Sequence, residues 1–270
     1  MINDGSTDGT PDKLKKFGNQ ISVVNQENIG ESASVNVGIN LAKSEIILVV
    51  SADDPLFTSE LFSGVGKLFA NDPDLVATYC DWIKIDKDGK QISDVKVADF
   101  DLNLLLGRSQ CLPGPGTFFR KSAAIAVGGR NSDWRYVGDF DFWLRLSLQG
   151  KIIHRPVLAA QWRQHEASTS IKFRGAAMAA ERIKVIEDFL KDSSGSLSSN
   201  LRRMAMGNAY YSAARLSYFD NSVNGKSFLL KAFLARKSWI ENAKIYEILF
   251  IMLSPVSFKF IHLIRKMAKI

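Results

Sequence analysis

Apolar runs of strand length alternate with helically spaced apolar residues along the first half of the chain. The runs at 21–24, 46–50 and 76–82 predict strands, and the apolar spacing over 31–42 and 59–69 predicts helices between them. Alternating strands and helices are typical of an open, mostly parallel α/β sheet flanked by helices. The run at 46–50 contains no polar residue, which predicts a central parallel strand buried on both faces.

The remaining pattern changes character along the chain. A hairpin tip is predicted at 86–89, a short helix at 99–107, a strand at 117–119 and a helix at 139–148. From 175 onward the pattern is entirely helical. A Ser-rich linker at 193–196 divides this region, and the apolar stretch 245–264 is interrupted by charged residues and Pro255. That interruption predicts an amphipathic helix pair on a surface and not a membrane span.

Charge divides the sequence in two. Residues 1–171 hold 18 Lys and Arg against 21 Asp and Glu, a net charge of −3, whereas residues 172–270 hold 17 against 7, a net charge of +10. This contrast and the change of pattern predict a catalytic domain over 1–171 and a basic helical region over 172–270. The basic region predicts peripheral contact with an anionic membrane, and no nucleic-acid partner is expected because no nucleic-acid-binding motif accompanies the charge.

Cysteine use and the opening residues limit the cellular setting. Cys80 and Cys111 stand outside any CxxC or Cys/His pattern, so neither a disulfide framework nor a structural zinc is expected. The first residues have no basic and apolar segments typical of a signal peptide. We expect a cytoplasmic protein, with the inner face of the cell membrane as the surface for the basic region.

Polar residues follow the predicted strands where a ligand is expected. In open α/β sheets, ligands bind beyond the carboxyl ends of the strands. Asp4 lies in an opening that reads as the end of a strand, and Asp53 and Asp54 follow the run at 46–50. These carboxylates are therefore candidates for a binding site.

Six motifs between residues 2 and 171 together carry a resemblance to a known family. They are Asp4–Thr10 (DGSTDGT), Asn28–Gly30 with Asn36–Gly38 (NIG and NVG), Ser51–Asp54 (SADD), Gly116–Arg120 (GTFFR), Asp139–Arg145 (DFDFWLR), and Arg163–His165 with Ser168 and Ser170. In this order they resemble family 2 glycosyltransferases with the GT-A fold. The resemblance implies transfer of a sugar, with inversion, from a nucleotide-diphosphate donor such as a UDP-sugar to a saccharide or lipid-linked acceptor.

Three departures from the family pattern are visible. The family's first strand, its P-x-Y-N turn and the following helix have no counterpart, so the resemblance implies a domain that starts after them. Ser51 stands where the first Asp of the metal-binding D-x-D is usual, so metal binding would rest on Asp53. Gly138 stands where a Glu usually precedes Asp139.

The chemistry of sugar transfer gives the motif residues expected roles. The departing diphosphate is heavily anionic, so we expect Mg²⁺ or Mn²⁺, held by Asp53, Asp54 and His165. The acceptor hydroxyl must lose a proton, and Asp139 is the expected general base. The residues expected to bind the donor share the loops at the strand ends. They are Asp4 at the nucleobase, Arg163 at the phosphates, and Asn28, Gly30, Asn36 and Asp53 around the pocket.

Simpler interpretations of the same residues stay open at this stage. Asp53 could cap the helix that follows, Asp4 could stabilise a turn, Asp139 could favour a helix N-terminus, and His165 could be a hydrogen-bonded structural residue. For the whole chain, the alternatives are a non-catalytic remnant that binds a nucleotide-sugar and an adaptor on a membrane surface. A nucleotidyltransferase is disfavoured because no glycine-rich, lysine-bearing phosphate loop is present.

Overall fold

The computed structural model divides the chain into two compact units. The first contains Met1–Phe100 and Cys111–His165, and the second contains the helix that follows Phe100 together with the helices after residue 174. The structure describes residues 1–56, 58–108, 111–165, 175–193, 197–219 and 225–235. Ser168 and Ser170, most of the Ser-rich linker and the apolar stretch 245–264 lie outside the described residues.

Strands and helices alternate through the first unit, which confirms the predicted α/β class. The strands are β1 (Ile2–Asp4), β2 (Val24–Gln26), β3 (Ile46–Leu48), β4 (Leu75–Ile85), β5 (Gln91–Val95), β6 (Phe118–Arg120) and β7 (Lys151–Arg163). The helices are α1 (Thr10–Lys15), α2 (Glu31–Leu41), α3 (Val65–Asn71), α4 (Leu102–Arg108), α5 (Lys121–Ala126), α6 (Gly138–Leu146), α7 (Gly175–Asp192), α8 (Ser199–Phe219) and α9 (Gly225–Ala235). A 3₁₀ turn covers Ser59–Phe62.

The central strand of the larger sheet is β4. It pairs with β7 in parallel along one side, and with β6 and β5 in antiparallel along the other. The segment Leu75–Asp81 is buried at every position, as expected for a strand that is covered on both faces. β1 and β2 form a separate parallel pair. The long β4–β7 pairing therefore sets the direction and the carboxyl edge of the sheet.

Two strand predictions are wrong in detail. β3 is only partly buried and pairs antiparallel with β6, so it is not the central parallel strand that its apolar run predicted. An apolar run indicates that a strand packs against other residues. It does not indicate whether the neighbouring strand is parallel or antiparallel. β2 begins at Val24, where it pairs with Ile2, and not at Ile21. The predicted hairpin tip at 86–89 is confirmed between β4 and β5.

The two phenylalanines of β6 anchor helices on opposite faces of the sheet. Phe118 belongs to a buried cluster with Phe69 of α3. Phe119 meets the rings of Phe142 and Trp143 of α6 at centroid distances of 5.4 and 6.0 Å. Successive side chains of a strand point to opposite faces, so this pair fixes α3 on one face and α6 on the other.

Arginine side chains tie the ends of helices to the sheet. The Arg120 guanidinium donates to the carbonyls of Leu75 (2.7 Å), Phe69 (2.6 Å) and Asp72 (3.1 Å), which lie at the end of α3 and the start of β4. The last carbonyls of a helix have no partner within the helix. Arg120 therefore supplies hydrogen bonds that the end of α3 lacks.

The second unit is helical in its described part. α8 packs against α4, α7 and α9, and its buried alanines recur every four residues, at 205, 209 and 213. Small side chains at this spacing form one face of a helix and allow close approach of its neighbours. Among the described helices, none has both the length and the apolarity needed to cross a membrane.

We predict that Arg120→Met lowers the free energy of unfolding by about 2–4 kcal/mol, because it leaves partly buried carbonyls without donors. Urea unfolding followed by far-UV circular dichroism measures this loss. Lys15→Met is the control, since the Lys15 side chain is 78% exposed in a local ion pair, and its change should stay within about 0.5 kcal/mol. Equal stabilities of the two variants would contradict the role given to Arg120.

Candidate functional site

The carboxylate of Asp4 is bound by the turn that precedes α2. Its Oδ1 accepts hydrogen bonds from the Ile29 N–H and the Gln26 side-chain amide, both at 2.9 Å, and its Oδ2 accepts from the Gly30 N–H at 3.0 Å. Hydrogen bonds to the ionised form, that from the Ile29 N–H foremost, hold the pKa of Asp4 below its usual value. Asp4 thus fixes the segment between β2 and α2.

Two glycines allow this turn to close. Gly5 has a φ of +74°, and a Cβ added to it would lie 2.7 Å from the backbone nitrogen of Asn28. Gly30, at the start of α2, has a φ of +88°. Both positions require a conformation that residues with a side chain rarely adopt. Asp4, Asn28 and Gly30, all predicted to bind the donor, are therefore brought together around the N-terminus of α2.

The side chain of Asn36 joins α2 to the segment before α6. Its amide donates to the Arg130 carbonyl at 2.7 Å and accepts from the Arg130 N–H at 2.8 Å. The Arg130 side chain forms a 2.7 Å ion pair with Glu31 in the first turn of α2. Asn36 thus holds the backbone of Arg130 against α2.

The N-terminus of α6 lies against the first turn of α2. A Cβ added to Gly138 would lie 2.6 Å from the Ser32 hydroxyl oxygen, so the Ser32 side chain occupies the space that a larger residue would need. This contact gives a physical reason for glycine at a position where the family pattern has Glu. The next residue, Asp139, is exposed, and its Oδ1 accepts from the Phe140 N–H at 2.7 Å.

Asp141 and Arg145, from the same motif, have a structural arrangement. Asp141 is buried and accepts from the Arg145 Nε at 3.0 Å. Arg145 also donates to the carbonyls of Val127 and Gly129. Because a helix turns about 200° over two residues, Asp141 lies on a different face from Asp139. Within this motif, Asp139 is the carboxylate that is open to solvent.

Asp53 and His165 meet at the carboxyl edge of the large sheet. The Asp53 Oδ2 and the His165 Nε2 are 2.9 Å apart, although 112 residues separate them in sequence. Their side chains are 46% and 30% exposed, respectively. The pair is therefore open to a ligand, and both atoms are of types that bind divalent cations.

Asp54 and Arg163 hold this edge together. The Asp54 Oδ1 accepts from the Arg163 N–H at 2.8 Å, while the Arg163 guanidinium donates to the carbonyls of Asp53 (2.9 Å), Asp86 (3.2 Å) and Lys87 (3.0 Å). Burial raises the pKa of Asp54, and the hydrogen bond from Arg163 opposes that rise. These contacts position the Asp53 segment over the end of β7.

The predicted site residues fall into two groups. The first group surrounds the N-terminus of α2 and contains Asp4, Asn28, Gly30 and Asn36, with Asp139 at the adjoining end of α6. The second contains Asp53, Asp54, Arg163 and His165. In the described part of the chain, no three His, Cys, Asp or Glu side chains converge as a ready-made metal-binding set. The Asp53–His165 pair provides two candidate ligands, and Asp54 is engaged by Arg163.

Sequence reasoning missed other residues at these places. Gln26 and Ser32 help to shape the first group, but polar residues near turns are too common to be singled out. Trp82, Lys84 and Trp162 cluster near the second group, with the two indole centroids 5.5 Å apart. Their positions near the carboxyl ends of two strands could have indicated a role in the site, but they belong to none of the six motifs.

We predict that Asp4→Asn makes the unfolding free energy less sensitive to acid. A carboxyl group with a lowered folded pKa stabilises the fold above its unfolded pKa, and this contribution is lost as the pH falls through the folded pKa. The variant should therefore be less stable than wild type at pH 7. The difference in unfolding free energy should narrow as the pH falls below 3.8, the usual pKa of an Asp side chain.

Urea unfolding between pH 2.5 and 7 measures the difference at each of roughly six pH values, within the range where Asp titrates. The exposed Asp133→Asn provides a variant with the same change of charge outside the Asp4 turn. A gap between Asp4→Asn and wild type that stays constant with pH would contradict the ionised hydrogen bonds.

Comparison with known proteins agrees with the motif order. A family model described as glycosyl transferase family 2 matches residues 1–128. A glycosyltransferase of Rickettsia typhi, itself uncharacterised, is 24% identical over 181 residues, which cover 63% of this chain and 55% of that relative. EpsH of Bacillus subtilis, whose name also describes a glycosyltransferase, is 40% identical over 57 residues, 20% of this chain and 17% of its own. The chain thus spans about half the length of the Rickettsia relative.

A solved structure shares the fold. The crystal structure of residues 1–349 of TarS from S. aureus matches with a TM-score of 0.59 at 14% sequence identity, covering 87% of this chain and 70% of that one. At this identity the likeness concerns the fold alone. The match over residues 1–128 and these relatives support a glycosyltransferase of family 2, and the chain has a GT-A type of α/β fold with a helical C-terminal region.

Proposed function

We propose that this chain transfers a sugar, with inversion, from a nucleotide-diphosphate donor to a hydroxyl of a saccharide or lipid-linked acceptor. The observation that carries the proposal is the Asp53–His165 pair, 2.9 Å apart and half-exposed at the carboxyl edge of the sheet. That edge is where open α/β sheets bind ligands. The family match over residues 1–128 supports the reaction class, and the exposed pair supports this edge as the site of the diphosphate.

The Asp53–His165 pair fits two neighbouring ligands of a divalent cation. Mg²⁺ binds its ligands at about 2.0–2.1 Å in octahedral geometry, so adjacent ligand atoms lie about 3 Å apart. The Asp53 Oδ2 and His165 Nε2 have this separation. Bound there, Mg²⁺ or Mn²⁺ would neutralise the charge that develops on the departing diphosphate. Asp54 supports the pair through Arg163, and Arg163 adds positive charge at the same edge.

The first group of residues is our candidate for the nucleotide site. The Asp4 carboxylate accepts from the N–H donors of Ile29, Gly30 and Gln26, and a hydrogen bond from the Ser34 side chain also lowers its pKa. Asp4 thus orients the Asn28–Gly30 turn, and the nucleobase is proposed to bind beside that turn. The Asn28–Gly30 turn and the Asn36–Arg130 contact form the adjoining backbone walls.

Asp139 is our candidate for the general base. Its carboxylate is exposed on the first turn of α6, outside the buried Asp141–Arg145 pair. In the transfer step the acceptor oxygen forms a bond to the anomeric carbon while the bond from that carbon to the diphosphate oxygen breaks. The proton of the acceptor hydroxyl passes to Asp139. A single displacement of this kind inverts the anomeric configuration.

A second candidate function is nucleotide-sugar binding without turnover. Two observations favour it, namely Ser51 in place of an acidic residue and the close contact of Gly138 with Ser32. Both leave fewer carboxylates at the site than the family pattern has. Binding of a nucleotide by a chain that shows no transfer with any donor would favour this second function.

The basic helical region supports a proposal about location. Residues 172–270 carry a net charge of +10, and anionic lipid surfaces attract basic segments. We propose peripheral contact with the inner face of the cell membrane, where a lipid-linked acceptor would be presented. Low-salt sedimentation with anionic vesicles is the direct assay for this contact.

We predict that Asp53→Asn weakens the Mn²⁺-dependent binding of UDP or GDP by about tenfold or more, because it removes a charged metal ligand. Isothermal titration calorimetry on the full chain measures the nucleotide affinity in the presence of Mn²⁺ and in its absence. Asp88→Asn is the matched control on the hairpin tip, where the side chain is 71% exposed. Unchanged Mn²⁺-dependent affinity in Asp53→Asn would remove Asp53 from the donor site.

We predict that Asp139→Asn lowers the transfer rate by roughly 10²–10⁴-fold, since positioned proton transfer contributes this much. Nucleotide affinity should stay within about threefold of wild type, because the base acts on the acceptor. Nucleotide release from a panel of nucleotide-sugars with saccharide acceptors measures the rate, and Asp133→Asn is the matched control. Retained transfer by Asp139→Asn would rule out the assigned base.

A further inference from the structure

Two tryptophans and a lysine form an aromatic cluster at the ends of β4 and β7. The rings of Trp82 and Trp162 meet edge to face, with centroids 5.5 Å apart and an interplanar angle of 83°. The Lys84 Nζ lies 6.0 Å from the Trp82 ring centroid and 5.8 Å from that of Trp162. Pairing of Lys84 with Trp162 in the parallel register places all three side chains on one face of the sheet.

The cluster is adjacent to the proposed donor site. Trp162 directly precedes Arg163, whose N–H donates to Asp54. Two residues before Trp162, Ala160 forms a β-bridge with Leu56. The segment that carries Asp53 is therefore attached to β7 on both sides of Trp162. His165, the partner of Asp53, is three residues farther along the chain.

The three side chains are only half-buried, unlike the core residues on the same face. Cys80 and Ala160, nearer the middle of the strands, are fully buried, whereas Trp82, Lys84 and Trp162 retain contact with solvent. The turn at Gly114 packs against Trp82, because a Cβ added there would lie 3.0 Å from the indole Nε1. The Gly114 turn thus covers part of Trp82, whereas Trp162 and Lys84 are the partly exposed members of the cluster that a ligand could contact.

We propose that this cluster is a binding subsite for the acceptor, and that it selects a saccharide with an acidic substituent. The inference rests on the proposed glycosyltransferase function, which it extends to the class of acceptor. A sugar ring presents a face of C–H groups that packs favourably against the negative face of an indole. The Lys84 ammonium lies over both rings, where it would form a charge-assisted bond with a carboxylate or phosphate of the same sugar.

The nucleobase is the competing occupant of an aromatic surface. Its proposed place is the Asp4 group, beside the Asn28–Gly30 turn that Asp4 holds through the N–H groups of Ile29 and Gly30. A cation over the rings also favours an anionic ligand, whereas a nucleobase carries no negative charge. These two observations favour an acidic saccharide at Trp162.

The test measures binding of matched oligosaccharides to the full chain by tryptophan fluorescence. Each pair has one neutral member and one that bears a hexuronate or a phosphomonoester. The variants are Trp162→Ala, Trp162→Phe, Lys84→Met and the control Lys87→Met, whose side chain is 75% exposed on the hairpin tip. Calorimetry with UDP and Mn²⁺ on the same proteins reports the donor site separately, and urea unfolding confirms that each variant is folded.

Wild type should bind the acidic member of a pair more tightly than the neutral one. Trp162→Ala should weaken both members by about tenfold or more, as loss of a stacking side chain does for other ring ligands, and Trp162→Phe should restore most of that affinity. Lys84→Met should abolish the acidic preference while Lys87→Met retains it. The affinity for UDP with Mn²⁺ should stay unchanged in all four variants.

Several outcomes would overturn the inference. The first is that wild type, Trp162→Ala and Lys84→Met bind the saccharides with equal affinity. The second is that wild type binds the acidic and neutral members of a pair equally well. The third is that wild type binds UDP with Mn²⁺ but binds no saccharide. A loss of UDP affinity in Trp162→Ala would assign the indole to the nucleotide instead. Saccharide binding through Trp162 without any UDP binding would contradict the proposed transfer function but leave the saccharide site in place.

Discussion

The parallel pairing of β4 with β7 is the interaction on which the arrangement of this fold's first unit depends. It runs from Leu75 to Ile85 on one strand and from Lys151 to Arg163 on the other. Its carboxyl edge places Arg163 and His165 beside the segment that follows β3. Without this pairing, Asp53 and His165 would be 112 residues apart with nothing to align them. The candidate donor site is therefore a consequence of strand register.

Backbone carbonyls bound by arginine fix the loops around that edge. Arg163 binds three carbonyls from two different loops. Arg120 binds three carbonyls around the end of α3, and Arg145 binds two that follow α5. A guanidinium has five donors in a rigid plane, which suits it to joining several carbonyls at once. This leaves the Asp53 carboxylate and the His165 ring free of a supporting role. The supporting contacts are made by Asp54 and Arg163, so the two exposed groups can serve a ligand.

Motif order predicted more of the site than of the sheet. The family motifs implied that Asp4, Asn28 and Gly30 bind the donor, and the structure brings these three residues together around the N-terminus of α2. The motifs did not predict that Asp4 binds the N–H groups of Ile29 and Gly30, since that contact requires the β1–β2 pairing. The apolar run of β3 was misinterpreted because hydrophobicity carries no information about the direction of a neighbouring strand.

The aromatic cluster shows a further limit. Trp82 and Trp162 are 80 residues apart in sequence, and they meet because the β4–β7 register contains bulges near Cys80 and Asp81. Pro156 lies in the bulged segment and is a local sign of an irregularity, but it does not give the size of the shift, which decides which side chains share a face. Gly138 is a similar case, because its close contact with Ser32 depends on how α6 approaches α2. Motifs identify candidate residues, but contacts between residues that are distant in sequence determine what those residues do.

A crystal structure of the full chain with UDP and Mn²⁺, in which anomalous scattering locates the manganese, would test the proposed donor site directly. We predict manganese bonded to Asp53 and His165, with the diphosphate beside it and the uracil ring at the Asp4 turn. Manganese bound away from this pair, or a nucleotide bound elsewhere on the chain, would show that the donor site is wrongly assigned.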